Sequence, residues 1–368
     1  MKKMPIREES FRIGCGRYLQ KRGIIASLGD EVRRLGTAPL IVGGKTALSV
    51  ARSAMESGLS NDMLYEIIEY GGTCNKQRAE ELAEYAAQHG LDVIVGVGGG
   101  VLMDFAKLIA YYAKRPIINI PTSSATCAAY TPLSVCYTEE GRTVGTQHFE
   151  KEVDAVLADT DVLAAQPPRL FLAGVFDTLA KFLEIKHRFR EDATDYPLGL
   201  DWAYLLSKKS FEELTAKAAV ALADMQAGTV TPAVEQTLFV TIAVTGVISG
   251  IARGSNQTAL AHKFYETART IYHENAKPYL HGEIVGVGLL LQNHFNGEEY
   301  NNDFLLQLMQ TYDMPSCVAT VGVAASADAL EEFYDRICGS SAIDKDDAAE
   351  CKRFKDSLGY LWELNDKE

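Results

Sequence analysis

Over the first 160 residues, short apolar runs alternate with stretches in which apolar positions recur every three to four residues. The runs at 39–43 (PLIVG), 63–69 (MLYEIIE), 92–97 (DVIVGV), 116–121 (PIINIP), 133–137 (LSVCY) and 155–158 (AVLA) predict strands. The periodic stretches at 46–57, 76–88 and 102–113 predict amphipathic helices. Strands that are apolar on both faces and separated by helices imply a parallel sheet covered on both sides. The alternation stops at 159–169 (DTDVLAAQPPR), where Pro167 and Pro168 end any continuing element. Beyond Leu170, Ala, Leu, Glu and Lys recur with helical period and little reads as strand. The pattern therefore predicts a Rossmann-like α/β domain over 1–162 and an all-α helical-bundle domain over 163–368.

A chain of 368 residues, 47% of them hydrophobic, is long enough to bury two cores. Its formal charge of -13 opposes any electrostatic hold on nucleic acid or an anionic membrane. No apolar run is read as approaching the roughly 20 residues that cross a bilayer, and MKKMPIREESFRIG lacks the apolar segment of a signal peptide. A cytoplasmic protein is expected. Seven cysteines without a CxxC pair suit reduced thiols rather than a disulfide framework or a cysteine-rich zinc module.

The segment DVIVGVGGGVLMDFAK (92–107) runs from a buried-strand pattern into Gly96, Gly98, Gly99 and Gly100, then Val101 and an amphipathic helix. Glycine lets a backbone approach a ligand, and a helix start offers unpaired N–H groups and a positive dipole end to phosphate. The spacing is neither GxGxxG nor a P-loop, so a tight turn without a ligand is the other reading. Asp104 and Lys107 lie one turn apart, and an acid near a helix start is stabilising on its own account. In PTSSATCAAYTPLSVCYT (121–138), small hydroxyl residues follow a strand end. Ligands of open parallel sheets bind there, which puts Thr122, Ser123 and Thr126 at the glycine crevice or in an ordinary polar loop.

In the helical part, Asp177 (FLAGVFDTLAKFLE), His262 (ALAHKFYE) and His281 (PYLHGEIVGVG) stand in apolar surroundings, where an unpaired carboxylate is costly to bury. One Asp and two His form a donor set for Zn²⁺ or Fe²⁺ that leaves a coordination position for substrate. Their spacing matches no compact metal motif, and His273 is the alternative ligand.

Together, GGGVLMDFAK (98–107), PTSSATCAAYTPLSVCYT, LAGVFDTLAKFLE (172–184) and LAHKFYE followed by YLHGE resemble the iron-containing, or group III, alcohol dehydrogenases. The resemblance spans nearly the whole chain and lies in the branch that includes glycerol dehydrogenase. It implies the dehydroquinate synthase-like fold, NAD(P) in a cleft between a nucleotide-binding domain and a helical metal- and substrate-binding domain, one divalent metal, and assembly into dimers up to octamers. By position it assigns the pyrophosphate to Gly98, Gly99 and Gly100, with Val101 and Asp104 beside them. Thr122 falls on the nicotinamide side, and Ser123, Thr131, Leu133 and Tyr137 on further parts of the cofactor. The metal, and catalysis through it, falls to Asp177, His262 and His281. Long-chain members carry a fourth ligand, a histidine, where this chain has Lys181, so a three-ligand zinc site is expected, with iron or another divalent ion as the alternative.

Three departures shape the expected chemistry. Cys127 replaces the aspartate that helps glycerol dehydrogenases bind polyol hydroxyls, and TCAAYTPLSV is similar to the NADPH-dependent hydroxycarboxylate (2-oxo acid) dehydrogenases. Loss of a carboxylate lowers repulsion of an anionic substrate, so reduction of small 2-oxo acids to 2-hydroxy acids is the main expectation. Glycerol dehydrogenase activity with NAD is the alternative, and Cys127 and Lys181 are the expected substrate contacts. Gly44 and Lys45 (IVGGKTA) replace the acid of the NAD-preferring branch, which favours NADP. Tyr265 takes the place of a second histidine near the cofactor. The expected reaction is hydride transfer between nicotinamide and a metal-polarised carbonyl. A sugar phosphate cyclase-type lyase would instead need clustered cations, for which Lys181, Arg253, Lys263 and Arg269 are candidates. A non-catalytic nucleotide-binding protein would need a degraded metal site.

Overall fold

The structure, a computed structural model, describes residues 11–60, 62–189, 197–298 and 300–367. In chain order the first part comprises β1 (Tyr18–Lys21), α1 (Leu28–Leu35), β2 (Pro39–Gly43), α2 (Lys45–Gly58), β3 (Glu66–Glu69), α3 (Lys76–Gln88), β4 (Val93–Gly98), α4 (Gly100–Ala113), β5 (Ile117–Pro121), β6 (Leu133–Tyr137), β7 (Thr143–His148), β8 (Ala155–Asp159) and α5 (Thr160–Ala164). Helices follow: α6 (Pro168–Arg188), α7 (Leu200–Gln226), α8 (Pro232–Phe239), α9 (Thr245–Ala252), α10 (Leu260–Ile271), α11 (His273–Ala276), α12 (His281–Asn296), α13 (Tyr300–Thr311), α14 (Ala327–Cys338) and α15 (Ala348–Glu363). They form two compact units, one of residues up to 166 with 220–250, the other of 167–219 with 251 onward. The segment 220–250, which the sequence pattern groups with the helical half, packs with the α/β unit.

In the first unit six strands form a parallel sheet in the order β1-β8-β5-β4-β2-β3. Every residue of β2, β4, β5 and β8 is buried, as strands covered on both faces require. One core joins Leu40, Val42 and Ile94 to α3 and α4, while the other joins Ile41, Val95 and Val97 to Ala47, Leu48, Ala51 and Met55 of α2. The chain thus leaves β2 toward one face and β4 toward the other, so the switch point of the sheet lies between these neighbours. Open parallel sheets bind ligands at such points, beyond the carboxyl ends of the strands.

The structure corrects the sequence reading in four more places. The run at 133–137 is a strand, but it pairs antiparallel with β7 in a separate ribbon. Only five residues link the two, too few for a parallel crossover. The polar edge strand β1, the exposed β7 and the helix α1 carry weak apolar patterns and escape it. The strand expected at 63–69 contracts to β3. Finally, the helical run Pro232–Ala252, 21 residues, is long and apolar enough to cross a membrane. Its threonines and Glu235 disguise that run, but Leu238, Val240, Ile242, Ala243 and Ile248 on it are buried in the protein. A π-helical turn at Val240–Val244 interrupts it, with the Thr245 hydroxyl donating to the Val240 carbonyl at 2.8 Å.

Candidate functional site

At the switch point, α2 and α4 both begin with a glycine N-cap, Gly44 and Gly99, and neither has a side-chain cap. By contrast Asn75, Thr231, Ser326 and Asp347 cap α3, α8, α14 and α15 through their side chains. The first N–H groups of α2 and α4 are therefore left for another acceptor. Gly99 has φ -86, which any residue adopts, and an added Cβ would meet nothing nearer than the Ser123 Cβ at 3.9 Å. The fold leaves room for a side chain there, as a cradle for a ligand would. Gly98 pairs with Pro121 across β4 and β5, and the Thr122 N–H donates to the Gly98 carbonyl at 2.9 Å, which brings Gly98, Gly99, Gly100, Val101, Thr122 and Ser123 to one sheet edge. Gly44 and exposed Lys45 follow β2, the neighbouring strand. Exposed Glu69, missed in the sequence, closes β3 opposite Gly43.

Asp104 does not face that edge. It is buried, lies 2.9 Å from the Lys107 ammonium and accepts the Val135 N–H at 3.0 Å. Lys107 in turn donates to the carbonyls of Ala128 (2.7 Å), Thr131 (2.9 Å) and Leu133. This buried pair clasps the strap that carries Cys127, Thr131 and Leu133 against α4. Tyr137 lies farther along the ribbon, its N–H bonded to the Cys74 carbonyl.

In the second unit α6, α10 and α12 pack together and bring Asp177, His262 and His281 to one point. Their potential donor atoms lie within 4.8 Å of one another. Gly282 makes this possible: a Cβ there would sit 1.9 Å from the Ala173 carbonyl oxygen of α6, so only glycine lets the start of α12 come so close. The Arg169 guanidinium grips Glu283 (2.6 Å at Nη2) and the Pro278 carbonyl (2.9 Å), and Glu283 accepts the Leu280 N–H at 2.7 Å. His281 is thereby held at the first position of α12, with Tyr265 packed edge-on to its ring at 4.3 Å.

Asp177 Oδ1 lies 3.5 Å from His262 Nε2 and 3.4 Å from His281 Nε2, and this buried oxygen has no hydrogen-bond partner among the described residues. An orphaned carboxylate oxygen in the protein interior is costly. Tetrahedral zinc bonds of about 2.0–2.1 Å put donors roughly 3.3–3.4 Å apart, so both separations from Asp177 suit a single ion. Lys181 Nζ, also buried, stands 3.9 Å from the same oxygen. His273, the alternative ligand, is outside the cluster, with Glu274 as its ion-pair neighbour. Of the cations a lyase would need, Lys263 pairs with Glu266 and Arg269 donates to the Tyr279 carbonyl.

Burial works to raise the Asp177 carboxyl, but the Lys181 ammonium and the two imidazoles outweigh it and hold it well below the carboxylate range. Burial also depresses both imidazoles. His281 stays below its ordinary value, whereas the carboxylates of Glu184 and Asp177 push His262 up to about 9. In the metal-free protein this pairing stabilises the fold fully below the ordinary value of 6.5, and the contribution is lost as pH rises through about 9. A metal must displace that proton. Apparent zinc affinity of the stripped protein is therefore expected to climb about tenfold per pH unit from neutrality and level off near pH 9. Competition titrations with a zinc indicator check this, and a flat profile would mean that His262 is already neutral.

The iron-containing alcohol dehydrogenase profile matches residues 15–160. Glycerol dehydrogenase of Thermotoga maritima is 29% identical over 329 residues, 88% of each chain. Hydroxycarboxylate dehydrogenase A of Escherichia coli is 30% identical over 285 residues, 76% of each. The crystal structure of a probable glycerol dehydrogenase from Sinorhizobium meliloti 1021 superposes with a TM-score of 0.81 at 22% identity, covering 98% of this chain and 99% of that one. A parallel-sheet unit followed by a helical unit is thus a fold shared with a known class of dehydrogenase. The chain belongs to the iron-containing alcohol dehydrogenase family and is an oxidoreductase of that type.

Proposed function

We propose that the protein is an NAD(P)-linked, metal-dependent dehydrogenase that interconverts a small polyol of the glycerol class and its carbonyl compound. One observation carries the reading: a buried, orphaned Asp177 oxygen equidistant from two imidazole nitrogens. The names of the relatives supply the substrate class. Asp177, His262 and His281 would hold the ion, and the uncapped starts of α4 and α2 would take the cofactor phosphates through backbone N–H groups. When bound, the metal supplies Lewis acidity to the substrate oxygen and the nicotinamide takes or gives the hydride. Lys181 Nζ donates hydrogen bonds to a second substrate oxygen, next to the reacting carbon. Lys45 favours a 2′-phosphate and Glu69 a ribose 2′-hydroxyl, so both cofactors belong in the assay.

With zinc and NAD⁺ or NADP⁺, glycerol and other 1,2-diols are expected to raise absorbance at the reduced-nicotinamide band. Failure of every diol with both cofactors and with zinc, iron or manganese would overturn the polyol reading.

The second reading, reduction of 2-oxo acids, is favoured by the same buried ammonium, because a carboxylate pairs with it better than a hydroxyl does. The ammonium makes a charge-assisted hydrogen bond with either, but only the carboxylate adds the attraction of two opposite charges, about 4 kcal/mol at roughly 4 Å and an effective dielectric of 20 before desolvation is subtracted. Lys181→Met is therefore expected to raise KM for 2-oxo acids by about 10- to 100-fold and for diols by only a few-fold. Equal effects on the two classes would mean that Lys181 does not read a carboxylate.

A further inference from the structure

Glu184 is fully buried on α6, two helical turns beyond Asp177 and one beyond Lys181. A buried carboxylate demands partners, and the hydrogen bonds of this one go to His262 and to the start of the helix that carries it. Its Oε2 accepts the His262 Nδ1–H at 2.5 Å. Its Oε1 accepts two backbone N–H groups at the start of α10, Ala259 at 2.7 Å and His262 at 2.9 Å. Ala259, the N-cap of that helix, has no side-chain oxygen with which to cap it. Glu184 does so from a different helix.

We propose that Glu184 is the positioning residue of the metal centre, one carboxylate that fixes both the backbone and the ring of His262. Resting on the metal reading above, the inference goes beyond the donor set itself. An ionised carboxylate only accepts, so a proton must sit on Nδ1, which makes Nε2, on the Asp177 side of the ring, the nitrogen that would bind the metal. The same carboxylate anchors the first turn of α10, so the ring is held at both ends of its side chain. Outer carboxylates of this kind typically govern metal affinity by 10- to 100-fold.

The full-length protein, stripped and then titrated with zinc against a competing chelator, tests this in Glu184→Gln and Glu184→Asp. Glutamine keeps the size but turns an N–H₂ toward either the ring or the helix start. Aspartate keeps the charge but withdraws it by one methylene. Both are expected to bind zinc about 10- to 100-fold more weakly and to alter the visible spectrum of the cobalt-substituted protein. Affinity for NADH and NADPH, measured in parallel, is expected to hold. Zinc affinity within twofold of wild type in both variants would overturn the inference while leaving the metal reading intact. Parallel loss of zinc and nucleotide binding with a broadened melt would also overturn it, assigning Glu184 to general stability. A wild-type protein that takes up no zinc, iron or cobalt would remove the metal reading, and this inference with it.

Discussion

Replacing Asp177 by alanine is expected to lower kcat/KM by at least about 10³-fold and to abolish high-affinity zinc uptake. Metal polarisation of a substrate oxygen contributes several kcal/mol in the transition state, and each 1.36 kcal/mol is tenfold in rate. Alanine removes the only carboxylate among the three donors. It also leaves the Lys181 ammonium and the raised His262 without their shared neighbour. Breaking a buried charge pair typically costs about 3–5 kcal/mol, so the metal-free variant should melt well below wild type. Asp177→Asn separates the two effects, since it keeps the shape and one oxygen while losing the charge. Steady-state rates with excess zinc, together with thermal melts of the stripped protein, read both. A variant that keeps more than a tenth of wild-type kcat/KM would remove Asp177 from the catalytic centre.

The second large effect belongs to the other unit. Gly99→Asp is expected to weaken NAD(P)H binding by about 100-fold or more, and Gly99→Ala by about tenfold, while zinc affinity is unchanged. The backbone at Gly99 suits any residue and the space beside it is open, so neither substitution should disturb folding. What a side chain would occupy is the approach to the first N–H groups of α4. A carboxylate about 4 Å from a phosphate adds a repulsion of up to about 4 kcal/mol at an effective dielectric of 20, and roughly 2.7 kcal/mol already gives 100-fold. Fluorescence titration of the reduced cofactor measures it. Unchanged affinity in the aspartate variant would place the pyrophosphate elsewhere.

Much of the first unit was legible because strands buried on both faces must be apolar throughout. The runs at 39–43 and 133–137 and the helix at 76–88 fall on β2, β6 and α3 as the pattern predicts. The sheet partner of 133–137 was not legible, since alternating burial on β6 becomes visible only once β7, nearly all exposed, lies beside it. The glycines of 98–100 stood out through their clustering, and they fall at the end of β4 and the start of α4. The role of Asp104 and Lys107 did not show, because it depends on three carbonyls more than twenty residues away in the chain. The donor cluster follows the same logic: spacing gave no compact motif, and only apolar surroundings, donor chemistry and the family resemblance joined Asp177, His262 and His281. Glu184 was hidden for another reason. A glutamate at the end of an apolar helical stretch reads as a solvent-facing charge until α10 and α12 are packed around it.

In the proposed metal centre, three side chains distant in the chain grip one ion. Crystals of the protein stripped of metal and then soaked in zinc, measured at the zinc absorption edge, test it directly. A single strong anomalous peak about 2.0–2.2 Å from Asp177 Oδ1 and from the Nε2 atoms of His262 and His281 is the predicted result. Zinc found only on surface carboxylates or cysteines, with these three side chains diverging, would contradict it.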